Sequence, residues 1–109
     1  MGKVQEATEA LVAAIEESGE YGEYLRARQL MEKYPELKAK ADEFRRRNYE
    51  MQNGGGDLYE EGERLRRDFA DTLADEAVRE FLDAENALCR ILRQVNVKLL
   101  QRLEFEPDM

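Results

Sequence analysis

From Asp75 to Leu103 the sequence contains neither Gly nor Pro, and its apolar residues keep helical spacing throughout. Val78, Phe81, Leu88, Leu92, Val95, Leu99 and Leu103 follow steps of three, four or seven. The stretch predicts one amphipathic helix, roughly 43 Å long at a rise of about 1.5 Å per residue. A folded domain of this length has a radius of gyration of only about 13 Å. Such a helix is expected to overhang its own globule and to pack on something else, most simply a second copy of the chain.

The rest of the sequence reads as shorter helices. A first helix is predicted from Lys3 to Ser18, with Val4, Ala7, Leu11, Ala14 and Ile15 on its apolar face and a break at Gly19. A second runs from Glu20 to Lys33, with Tyr21, Tyr24, Leu25, Ala27, Met31 and Tyr34 inward. Pro35 suits the first position of a third, where a missing N–H removes no hydrogen bond. Leu37, Ala41, Phe44 and Met51 form that helix's row, with polar Asn48 among them. Asn53-Gly54-Gly55-Gly56 ends it, since glycines extend a helix poorly. A phosphate-binding loop needs Lys and Ser or Thr after its glycines. Asp57 and Leu58 stand there instead, so the segment reads as a turn. Asp57 with Glu60 caps a fourth helix, whose row is Leu58, Gly62, Leu65, Phe69 and Leu73. Asp75 caps the fifth and longest, and Glu104 to Met109, with Pro107, is expected to fray. With 39% charged residues, 42% hydrophobic ones, no Trp and two Pro, one all-α domain of about five helices spanning residues 1–109 is predicted.

Charge and residue types exclude several functions. A net charge of −8 repels nucleic-acid phosphates, so direct nucleic-acid binding is not expected. Two basic runs, Arg45-Arg46-Arg47 and Arg64, Arg66, Arg67, are ringed by Glu43, Glu50, Glu61, Glu63 and Asp68. They read as salt-bridged, solvated helix faces. The sequence has no His, which removes the commonest general base and metal ligand. Its single cysteine, Cys89, can form no intrachain disulfide, and beside Leu88 it is expected to be a packed, inert thiol. No run approaches the 18 or so apolar residues of a membrane span. The N-terminus lacks the apolar run of a signal peptide, and Glu6 stands where a myristoylation motif wants Ser or Thr. A cytoplasmic location is expected.

Among 25 acids, one pattern resembles catalytic chemistry. Glu60-x-x-Glu63 and Glu80-x-x-Asp83 look like the paired carboxylates with which all-α nucleoside-triphosphate pyrophosphatases hold magnesium against a polyphosphate. Helical geometry places them outward. At about 100° per residue, Glu60 lies about 180° and Glu63 about 120° from the centre of the apolar row. Asp83 lies about 165° and Glu80 about 105° from that of the last helix. Glu85 is different, because it sits within the last helix's apolar row. A carboxylate there needs a partner, for an unpaired buried charge is costly. It either hydrogen-bonds within its own chain or fixes helix register and partner choice.

With the helices placed, the sequence resembles the YlbF/YheA/YmcA-like family of small helical bacterial proteins, over about Val4 to Leu103. Ser18-Gly19-Glu20-Tyr21-x-x-Tyr24 is similar to the family's short break and Tyr-bearing second helix. Tyr34-Pro35-Glu36-Leu37 resembles the start of its third, and Phe44 and Gln52 match its aromatic and glutamine positions. Val78-x-x-Phe81-Leu82-x-Ala84-Glu85-x-x-Leu88-x-x-x-Leu92-x-x-Val95 resembles its long last helix. The resemblance implies a self-associating helical fold with a regulatory role. Family members assemble with sister proteins into a complex that assists RNase Y in maturing messenger RNA, and so affect competence, sporulation and biofilm formation. Some carry a cysteine-rich C-terminal extension that helps bind an iron–sulfur cluster. With Cys89 alone, no cofactor is expected here.

The expected function is that of a non-enzymatic adaptor acting as a homo-oligomer, a dimer or higher, and with sister family proteins. Phe81, Glu85, Leu88, Leu92, Val95 and Leu99 are the candidate interface. The alternatives are a magnesium-dependent hydrolase, if the four acids converge, and a bare coiled-coil module, which would have no need of the preceding helices.

Overall fold

Residues 2–106 are described by the computed structural model, and among them six helices follow one another. They are α1 (Lys3–Glu16), α2 (Gly19–Glu32), α3 (Pro35–Asn53), α4 (Leu58–Asp68), α5 (Ala70–Ala74) and α6 (Glu76–Arg102). The protein is all-α, as the periodicity predicts, and no strand occurs among the described residues. Pro107, Asp108 and Met109, in the tail expected to fray, lie outside the described residues, as does Met1.

Local chemistry explains most boundaries. The Asp57 carboxylate accepts from Tyr59 N (3.0 Å) and Glu60 N (3.2 Å), and so satisfies two orphan donors of α4. Asp75 does the same for α6, accepting from Ala77 N at 2.9 Å and Val78 N at 3.3 Å. The break between the first two helices falls at Glu17-Ser18, one residue before the expected Gly19. Ser18 Oγ accepts from Tyr21 N at 3.2 Å, so Ser18 caps α2 and Gly19 becomes its first residue. In the glycine turn, Gly55 has φ +76°, a left-handed conformation that glycine adopts without a steric penalty. The far end of α6 is closed rather than frayed. Phe105 N donates to Leu100 O (3.0 Å) and Glu104 N to Gln101 O (3.2 Å), with Glu104 at φ +52°. This is a Schellman turn with Glu in the position usually held by Gly.

The predicted fourth helix is two helices. Phe69 leaves helical geometry at φ −114°, ψ 21°, although no Gly or Pro marks the spot. Tertiary packing outweighs local propensity here. The Phe69 ring meets Phe44 edge-on, centroids 5.6 Å apart, and the Arg47 guanidinium lies 5.2 Å above it. After the break, Thr72 is buried and Leu73 half-buried.

The chain divides into two units, Arg26–Leu82 and the segments Met1–Leu25 and Asp83–Met109 together. Within Arg26–Leu82, α3 packs against α4 and α5. Arg47 reaches Asp68 at 3.1 Å, and the Arg45 guanidinium covers the Phe81 ring at 5.4 Å. Met31, Ala41, Leu65, Phe69, Val78 and Phe81 are its buried core. Within the other unit, Ala84 is the one fully buried position among the described residues, and α1 buries none.

Phe69→Ala is expected to cost about 3–5 kcal/mol in denaturant unfolding, because it empties the site shared by Phe44 and Arg47. A loss under about 1 kcal/mol would show that the ring is not what ties α3 to α4 and α5. A second expectation concerns acid. Burial alone would raise the Asp42 carboxyl, but hydrogen bonds from Lys38 (2.9 Å) and Arg45 outweigh it and hold its pKa below the usual aspartate value. A depressed folded pKa contributes stability above the unfolded value and loses it as pH falls. Asp42→Asn should therefore flatten the fall in melting temperature below about pH 4. The effect at pH 7 should be small, because the Asp42 side chain is 39% exposed.

Candidate interaction surface

The candidate surface is built on α6, and its residues fall into two sets. Phe81, Leu88 and Val95 recur at intervals of seven, and so do Glu85, Leu92 and Leu99. Alternating steps of three and four bring Leu88, Leu92, Val95 and Leu99 within about 60° of arc on one side of the helix. This is the narrow stripe with which a helix meets another at a coiled-coil seam.

The structure does not treat the six residues alike. Phe81 is 2% exposed and lies under Arg45 inside the Arg26–Leu82 core, so it anchors the start of the row within its own chain. Glu85, Leu88 and Val95 are half-buried. Glu85 is not free in the folded chain. Leu92 and Leu99 are 50% and 52% exposed, well above what large aliphatic residues in a finished core show. Val97, Leu103 and Phe105 are exposed further along.

A second uncovered stripe lies on α1, in the same unit. Val4, Leu11 and Val12 are exposed, Val4 to 82%, and only Ile15 of the predicted apolar face is half-buried. The expectation that this face serves a core is thus met only at its C-terminal end. An isolated helix of this length is marginal in water, and helices in proteins owe most of their stability to a packed face. Charge is also segregated between these two helices. Between Asn86 and Leu103 there are Arg90, Arg93, Lys98 and Arg102 and no acid. On α1 and the turn after it, Glu6, Glu9, Glu16 and Glu17 stand against Lys3.

The other candidate chemistry is dispersed. Glu60, Glu80 and Asp83 are exposed, and Glu63 is 47% exposed and engaged by Arg66. Arg64 lies 3.9 Å from Glu60. Among the described residues, no three of His, Cys, Asp or Glu form a group that could hold a metal ion. The basic runs are salt-bridged helix faces: Arg46 bridges Glu43 and Glu50, and Arg45 pairs with Asp42. Cys89 is exposed, not packed as expected. It lies at the edge of the stripe, one residue past Leu88, where a turn of about 100° carries it off the apolar row. No helix among the described residues is long and apolar enough to cross a membrane.

No curated protein and no solved structure gives a significant match to the chain. A family profile described as control of competence regulator ComK, YlbF/YmcA, matches residues 4–104, nearly the whole sequence. With the long closing helix and the Tyr-bearing second helix in place, the chain belongs to the YlbF/YmcA family.

Proposed function

We propose that this protein is a non-enzymatic regulatory adaptor that self-associates, and meets its partners, through the apolar row of α6. The observation that carries this reading is the pair of half-exposed leucines, Leu92 and Leu99, on a helix whose start is locked into a core by Val78 and Phe81. The family description, control of a competence regulator, supports a regulatory role. In the fuller form suggested by the family resemblance, the protein joins sister family proteins in a cytoplasmic complex that assists RNase Y-dependent messenger RNA maturation. Competence, sporulation or biofilm formation then follow from that complex. The scatter of Glu60, Glu63, Glu80 and Asp83 supports the adaptor over a magnesium-dependent hydrolase.

Magnitudes set what the row can do alone. Full burial of a Leu side chain contributes about 1.5–3 kcal/mol. Leu92 and Leu99 are already half-covered, so four such residues in a dimer contribute roughly 3–6 kcal/mol. Association costs about 4–15 kcal/mol in lost freedom. The leucine row therefore specifies a seam, and stable assembly draws on further surface.

Replacing Leu92 and Leu99 together with Lys places charge in the seam. Light scattering should then report a monomer whose circular dichroism remains helical. Retention of the wild-type molar mass would remove the seam as the interface. Glu85→Ala, in contrast, should lower the thermal midpoint by an amount equivalent to about 1–3 kcal/mol, with molar mass unchanged, because half-buried Glu85 loses the interaction it makes within its own chain. If Glu85→Leu keeps the stability but changes the molar mass, the carboxylate selects the partner instead.

A further inference from the structure

We propose that Asn53 deamidates spontaneously, at a rate set by the last turn of α3, and that the product loosens that turn. The chain has four asparagines, and only Asn53 is followed by Gly. Asn48, Asn86 and Asn96 precede Tyr49, Ala87 and Val97 inside α3 and α6. A neighbour without a side chain leaves its backbone nitrogen open to approach the asparagine carboxamide. The fold itself demands that neighbour. A Cβ at residue 54 would stand 2.9 Å from Glu50 O, so any side chain there would force the end of α3 to shift. Asn53 is the final residue of α3 and is exposed to water, the co-reactant.

Both reacting groups are held by that same turn. Asn53 Nδ2 donates to Tyr49 O at 2.8 Å, and Gly54 N donates to Met51 O at 3.3 Å. Beyond them, Gly55 at φ +76° and Gly56 add no side chain that could keep the turn closed. Helix ends of this kind open locally at small cost. Once both bonds are released, the Gly54 nitrogen gives its proton to hydroxide and attacks Asn53 Cγ. The new C–N bond closes a succinimide ring, and ammonia leaves. Water then opens the ring at either carbonyl, to an aspartyl or an isoaspartyl residue at position 53. Either product puts a carboxylate where the carboxamide donated to Tyr49 O. That charge stands at the negative end of the α3 dipole, one turn from Glu50. The isoaspartyl form also routes the main chain through Cβ and lengthens the turn between α3 and α4.

Incubation of the full chain in mildly alkaline buffer, followed by peptide mass mapping, tests the site. The mass gain of an amide-to-acid exchange should accumulate at Asn53 and not at Asn48, Asn86 or Asn96, with isoaspartate detected by enzymatic carboxyl methylation. The rate should rise in proportion to hydroxide. It should be about tenfold faster in urea, where the two hydrogen bonds are gone. Asn53→Gln keeps the carboxamide donor but needs a larger ring, and should abolish the signal. The effect of the product is read on Asn53→Asp, whose thermal midpoint at neutral pH should lie about 2–5 °C below that of Asn53→Gln. That gap should close in acid, as the new carboxylate takes up a proton. Conversion in urea with none in the folded chain would overturn the proposal, as would conversion at the other asparagines at the same rate. Equal rates in folded and unfolded chains would show that the turn does not set the rate. Equal midpoints for Asn53→Asp and Asn53→Gln would show that the product leaves α3 intact.

Discussion

The contact between Phe44 and Phe69 decides where this protein is finished and where it is not. To bring the Phe69 ring edge-on to Phe44, the chain gives up a straight helix at that residue and accepts a separate α5 of five residues. The break turns Thr72 inward and delivers Asp75 as the cap from which α6 starts. Arg47 seals the arrangement twice, by covering the Phe69 ring and by reaching Asp68. The guanidinium of Arg45 does the same for Phe81. An arginine's apolar stem and planar head suit it to cover an aromatic edge while keeping its charge solvated. The chain contains no Trp and four Phe, so the three rings of this cluster make up most of its aromatic core material.

That economy leaves the remaining helices with stripes to cover. The buried residues gather in Arg26–Leu82, and the apolar positions of α1 and of α6 beyond Ala84 stay wholly or partly in solvent. In the adaptor reading proposed above, the half-exposed row of α6 is the surface left for another chain.

Much of this was legible in the residues. Helical spacing located all the long helices, and the capping acids Asp57 and Asp75 stand where an acceptor is needed. The split at Phe69 was not legible, because nothing local marks it; the reason lies across the fold in Phe44 and Arg47. Ser18 carried a readable capping signal that the adjacent Gly19 obscured. The closed end of α6 was hidden because Glu104 occupies a left-handed position that sequence reasoning reserves for Gly or Asn. For the candidate surface, the row Leu88, Leu92, Val95, Leu99 could be read from periodicity, but which members stay exposed could not. Periodicity gives a direction on the helix and says nothing of what stands opposite.

Cys89 has a consequence of a different kind. An exposed thiol that is the sole cysteine of its chain reacts with a maleimide or a spin label in the native state, once per molecule and without prior mutagenesis. Its place beside Leu88 puts the label at the margin of the apolar row, off the row itself. The chain thus carries its own probe of proximity: the distance between two such labels measures how any two copies lie along one another.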